Sequence, residues 1–177
     1  EESARDTSFE RGGDRGSTQF VRYARRGGAR ASPPLGAIRA MVLFWDGRLV
    51  EARDCLAGLH AEALERGDEH SLPFVLFQLA RAELLLGDWD TARAHAAACV
   101  ESVEQSGQVG ERPYALTIEA LVLAHLGEVE RARELIAEGL ASAERVGTGP
   151  AALELLAIRG FLELSAGEVA LADAALD

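Results

Sequence analysis

The chain has 177 residues, of which 48% are hydrophobic and 27% charged, a composition that supports a sizeable core and excludes disorder as the expected state. Its net charge of −11 is unevenly placed: residues 1 to 30 hold seven Arg against five Asp and Glu, while residues 31 to 177 carry 11 − 24 = −13. An acidic body repels phosphate backbones, so residues 31 to 177 are excluded as a general nucleic-acid surface.

All 18 basic residues are Arg, and neither Lys nor Asn occurs. A Walker-type phosphate lysine, a Schiff base and a lysine general base are therefore absent, as is any N-glycosylation acceptor. Two cysteines, Cys55 and Cys99, are too few for a disulfide scaffold and fit a reducing compartment. There is no 18-residue apolar run and no signal peptide, so the expected location is the cytoplasm with no membrane partner. The chain starts at Glu1 rather than Met, which reads as a fragment of something longer.

Residues 1 to 30 form an Arg- and Gly-rich lead-in. Residues 1 to 16 read as loop, and the run Gly12 to Thr18 has neither the lysine nor the glycine spacing of a phosphate loop. From Ser17 to Arg26, the pattern Phe20, Val21, Tyr23, Ala24 is weakly helical and is followed by Gly27, as in the remnant of a preceding repeat. Pro33 and Pro34 then open the first clear hairpin, because proline fits a first helical turn and stops what precedes it.

From there the chain repeats. Glycine recurs at Gly47, Gly87, Gly127 and Gly167, a constant step of 40, and a second column runs through Gly27, Gly67, Gly107 and Gly147. Small residues keep the same register: Ala40, Ala80, Ala120 and Gly160 precede the turn glycine by seven, and Ala52, Ala92, Ala132 and Ala172 follow it by five. Two glycine columns half a period apart, with apolar helical patterns between them, predict stacked helical hairpins whose glycines act as left-handed caps. The repeats run about 31–70, 71–110, 111–150 and 151–177, the last one short. The expected A helices span about Pro33 to Asp46, Ser71 to Leu86, Arg112 to Leu126 and Pro150 to Ala166. The expected B helices span Arg48 to Arg66, Asp88 to Ser106, Glu128 to Val146, and onward from Glu168. Helix A of the second repeat is apolar nearly all round, so it is covered on both sides. Helix B carries one stripe: Trp89, Ala92, Ala96, Cys99 or Val100, and Val103.

The turn Gly87-Asp88-Trp89-Asp90-Thr91-Ala92, with Ala80 before it, resembles the second half of a tetratricopeptide repeat, at 40 residues rather than the usual 34. A HEAT-like unit has a comparable period, but the paired small columns favour the tetratricopeptide-like form. The implied fold is all-α, a tetratricopeptide-like antiparallel helix-hairpin solenoid. In that family helix A lines the concave side. Offsets from the turn glycine then select Met41, Trp45, Phe74, Phe77, Arg81, Leu85, Tyr114, Thr117, Leu121, His125 and Phe161 as a groove for a protein partner or small effector. The same aromatics could equally fill space between neighbouring helices. The mapping sets Phe77 beside Thr117 and Arg81 beside Leu121.

The segments Ala63 to Phe74, Gly107 to Leu116 and Gly160 to Ser165 resemble, more specifically, the repeat region of large ATP-binding LuxR-family regulators of the MalT-like class, over about residues 31 to 177. In that family an ATPase module and a helix-turn-helix flank the repeats. The resemblance implies a sensor or protein-interaction domain, with ATP hydrolysis and DNA binding carried by modules this chain does not contain. It implies no cofactor, and homo-oligomerisation stays open. The competing expectation is a free-standing adaptor unrelated to transcription.

Nothing in the sequence marks an enzyme. His95 and Cys99 are four apart on one helix, and Cys55 shares the column of His95, a set of three soft ligands. The alternative is that both cysteines are small buried hydrophobes beside a half-exposed histidine, and the sequence reading follows that alternative. His60, His70 and His125 lie in no ligand-like motif, and no Gly-x-Ser-x-Gly elbow is present.

Overall fold

A computed structural model describes residues 35–176. The expected helix at Ser17 to Arg26 and the opening at Pro33 and Pro34 lie outside the described residues. Within them every regular element is a helix: α1 (Leu35–Trp45), α2 (Leu49–Arg66), α3 (Leu72–Leu86), α4 (Trp89–Ser106), α5 (Arg112–His125), α6 (Val129–Val146), α7 (Gly149–Ser165) and α8 (Val169–Leu176). The class is all-α.

The joints are built from backbone chemistry. Gly47, Gly67, Gly87, Gly107, Gly127, Gly147 and Gly167 all have positive φ. At Gly87, where φ is 82°, the chain leaves α3 through a left-handed residue. The Asp88 N–H then donates to the Glu83 carbonyl at 3.0 Å, so carbonyls orphaned at the helix end are satisfied. The Asp88 carboxylate in turn accepts the Thr91 N–H at 3.4 Å and caps α4. One Gly-Asp pair thus closes a helix and opens the next. After α2, the Asp68 carboxylate accepts the Ser71 N–H at 3.2 Å, and Pro73 occupies the first turn of α3, where a missing N–H costs nothing.

Consecutive helices pack as hairpins, and the odd-numbered helices also touch one another, α3 against α5 and α5 against α7. These form the inner row. The small residues Ala40, Ala80, Ala120, Ala52, Ala92, Ala132 and Ala172 are all buried, as is Gly160, and they let the helix backbones approach. The core follows the row in three clusters: Leu56 with Phe74 and Leu79, Phe77 with Val103 and Ile118, and Leu135 with Leu155 and Leu162. The stripe expected on α4 is buried at Ala92, Ala96, Cys99 and Val103. Trp89 departs from it and is 46% exposed, because as the first residue of α4 it lies at the rim of the turn, beyond the helix it would pack on.

A glycine inside α6 marks the tightest approach. A Cβ at Gly139 would lie 2.8 Å from Leu155 Cδ1 and 3.5 Å from Leu116 Cβ. The buried Leu116 and Leu155 occupy the space a side chain would need. In the first hairpin the sizes are exchanged: a Cβ at Gly36 would meet Leu59 Cδ2 at 2.6 Å. Large on one helix is matched by nothing on the other.

Candidate functional site: an apolar cavity with a charged mouth

Between α1 and α3 lies a cavity of about 160 Å³ lined by Ala40, Met41, Phe44 and Trp45 of α1, Leu56 of α2, Phe77, Gln78 and Arg81 of α3, and Glu154 of α7. Its walls follow from helix spacing. Met41, Phe44 and Trp45 are three and four residues apart and share one face of α1. Phe77, Gln78 and Arg81 do the same on α3. Whereas α3 and α5 are packed together, α1 and α3 make less contact, and the cavity occupies that gap.

The mouth is polar. Arg81 Nη1 lies 3.7 Å from Glu154 Oε1, and the guanidinium stacks over the Phe44 ring at 5.4 Å. Trp45 meets Phe44 edge to face, with centroids 6.2 Å apart, and is 74% exposed. Arg81 of α3 and Glu154 of α7 thus meet although α5 packs between their helices.

Of the eleven residues mapped to a groove, Met41, Trp45, Phe77 and Arg81 come together in this cavity. His125 and Phe161 form a second group, their rings stacked at 4.8 Å, with His125 Nδ1–H donating to the Leu121 carbonyl at 2.9 Å. Leu85 is exposed. Leu121 is half-buried against the core, and the other three are interior. Phe74 belongs to the core with Leu56 and Val75, Tyr114 shares a 2.9 Å hydrogen bond with the Thr148 hydroxyl, and Thr117 donates to the Pro113 carbonyl at 2.7 Å. The reason is that α5 is packed by α3, α4, α6 and α7, which leaves Tyr114 and Thr117 no open face.

Phe44, Gln78 and Glu154 were missed by the mapping. Phe44 carried a signal, since it continues the face of Met41 and Trp45. Glu154 carried none, because the mapping paired Arg81 with Leu121 of the next hairpin, and the contact skips that hairpin.

Glu83 and Glu163 are two of the buried carboxylates that lie outside the cavity. Glu83 is 4% exposed and accepts a hydrogen bond from His95 Nδ1–H at 2.6 Å. His60 meets the His95 ring edge to face at 5.8 Å. Burial, and then the neighbouring His95, hold the His60 imidazole below its ordinary value, against the pull of Glu83. Cys99 Sγ donates to the Pro73 carbonyl at 3.2 Å. Among the described residues no group of three or more His, Cys, Asp or Glu is arranged to hold a metal ion, and no helix is long and apolar enough to cross a membrane. Glu163, the second carboxylate, receives two hydrogen bonds from Arg133, which lower its pKa first by hydrogen bonding and then by charge.

Comparison with known proteins gives no match: no protein-family model fits the chain, and no curated sequence or solved structure is similar to it.

Proposed function

We propose that the chain is a tetratricopeptide-like binding domain that receives a small effector or a partner's side chain in the cavity between α1 and α3. The observation that carries this reading is the cavity itself, where Met41, Phe44, Leu56 and Phe77 meet Gln78, Arg81 and Glu154, apolar walls with a few polar groups as in a recognition site. The repeat reading draws support from helix starts at Leu49, Trp89, Val129 and Val169, each 40 after the last, and from positive-φ glycines in both columns. The resemblance in residues 31 to 177 to MalT-like LuxR-family regulators supports a place in such a regulator, where cavity occupancy would be the sensed event.

Two measurements test it. The first is the sequence flanking this chain in its open reading frame, where a Walker motif upstream and a helix-turn-helix downstream are expected; a frame with neither removes the regulator part and leaves an adaptor. The second is titration of the chain with toluene, an uncharged probe of the cavity's size, followed by Trp45 fluorescence in the Trp89→Phe variant. Saturable quenching is expected, and its absence overturns the binding reading.

A further inference from the structure

We infer that the cavity is built for a free α-amino acid with a large apolar side chain, held by its carboxylate at Arg81 and its ammonium at Glu154. The inference rests on the cavity being the binding site and specifies what enters it.

Size sets the first limit. At about 160 Å³ the space suits one benzene-sized group, since an apolar cavity of roughly 150 Å³ takes benzene, and it is smaller than the roughly 300–1,000 Å³ of sites for larger ligands. One apolar side chain fills it. The side chains of Ala40, Met41, Leu56 and Phe77 give that group apolar contacts.

Charge sets the second. At 3.7 Å Arg81 and Glu154 form an ion pair without a hydrogen bond between the two atoms, so two opposite charges face one mouth. The contrast is Arg133 and Glu163, whose two bonds of 3.0 and 2.5 Å occupy both carboxylate oxygens. Both side chains are about a third exposed, so a ligand with a carboxylate alone would pair with Arg81 and leave Glu154 to water, gaining nothing at that end; an amine alone would do the converse. An α-amino acid presents both charges on adjacent atoms, in the order the mouth requires. The Arg81 fork matches a carboxylate and is held in place over Phe44. Gln78, which also lines the cavity, adds an amide NH2 donor group and a carbonyl acceptor. The net charge of −11 disfavours a purely anionic ligand at long range and leaves a zwitterion unaffected.

The test is a ligand series on the full chain, read by calorimetry and by Trp45 fluorescence in the Trp89→Phe background. L-Phenylalanine is expected to bind about tenfold or more tightly than 3-phenylpropanoate, which lacks the ammonium, or 2-phenylethylamine, which lacks the carboxylate. Arg81→Gln should bring L-phenylalanine down to the level of the amine, and Glu154→Gln to that of the acid, with helicity unchanged by circular dichroism. Equal binding of all three ligands and of toluene overturns this inference while leaving the cavity as a site. Tighter binding of N-acetylphenylalanine than of phenylalanine overturns it in favour of a peptide C terminus. Failure of toluene and every charged ligand together overturns both readings.

Discussion

Arg133 reaches from α6 to α7 and donates hydrogen bonds to both carboxylate oxygens of Glu163, which is only 2% exposed. A carboxylate this deep is tolerated because a guanidinium fork satisfies both oxygens. The pair ties the third hairpin to the fourth at a distance of 30 residues.

Arg133→Met is therefore expected to lower the unfolding temperature at pH 7 by leaving a buried charge without its partner. Because the folded-state pKa of Glu163 is lowered by Arg133, the stabilisation is present above the ordinary carboxylate value and is lost as pH falls through the lowered one. The difference between wild type and variant should shrink as the solution is acidified. Thermal melts across the acid range check this, and a gap as wide at the acid end as at pH 7 would contradict it. Arg133→Met combined with Glu163→Leu should recover much of the loss, since two apolar residues remove the desolvation problem.

Gly139→Ala and Gly58→Ala are expected to have opposite signs. Both glycines sit inside helices, where alanine is normally the better residue by about 0.5–1 kcal/mol. A Cβ at Gly58 meets nothing within 4 Å, so that substitution should stabilise; at Gly139 it would lie 2.8 Å from Leu155 Cδ1. Overpacking there should cost about 1–3 kcal/mol. Chemical denaturation of the two variants decides the matter, and stabilisation by both would mean that Leu155 yields freely.

His60 supplies a second pH dependence, of a different kind. Its folded pKa lies below the ordinary 6.5 because of burial and the adjacent His95, so the unfolded chain binds the proton more readily. The group's full contribution to stability is present above about 6.5 and is lost as pH falls from there toward the lower folded value. Glu83 also faces this position and opposes the shift. His60→Phe should flatten the pH profile of unfolding in that window, and an unchanged slope would assign it to other groups.

Glu119→Gln is expected to raise the unfolding temperature at pH 7. Glu119 lines a second cavity, of about 270 Å³, with Arg93, Glu128 and Arg131, and burial pushes its carboxyl pKa up despite Arg131. A raised carboxyl pKa means that the folded chain holds the proton longer, so stability declines as pH rises from the ordinary carboxylate value through the folded one. Glutamine keeps the shape without the charge. A lower melting temperature for the variant at pH 7 would show that Arg93 and Arg131 outweigh burial.

The helices and their joints were legible in the residues alone. Among the described residues each glycine of the two columns, from Gly47 to Gly167, meets a local need, a left-handed residue at a helix end, and Asp88 caps the helix three residues before its donor; such requirements are settled within a few residues of chain. The buried alanines belong to the same kind of signal, since close packing inside a hairpin is a property of one turn and the two helices it joins. The site was legible only in part. Met41, Trp45, Phe77 and Arg81 could be selected by their offset from a turn. The burial of Tyr114 and Thr117 depends on four neighbours surrounding α5, and the meeting of Arg81 with Glu154 depends on how far each hairpin rotates on the one before. Small rotations accumulate along the row, so a contact that skips a hairpin is decided by the sum of several packing angles, and no single stretch of sequence contains that sum.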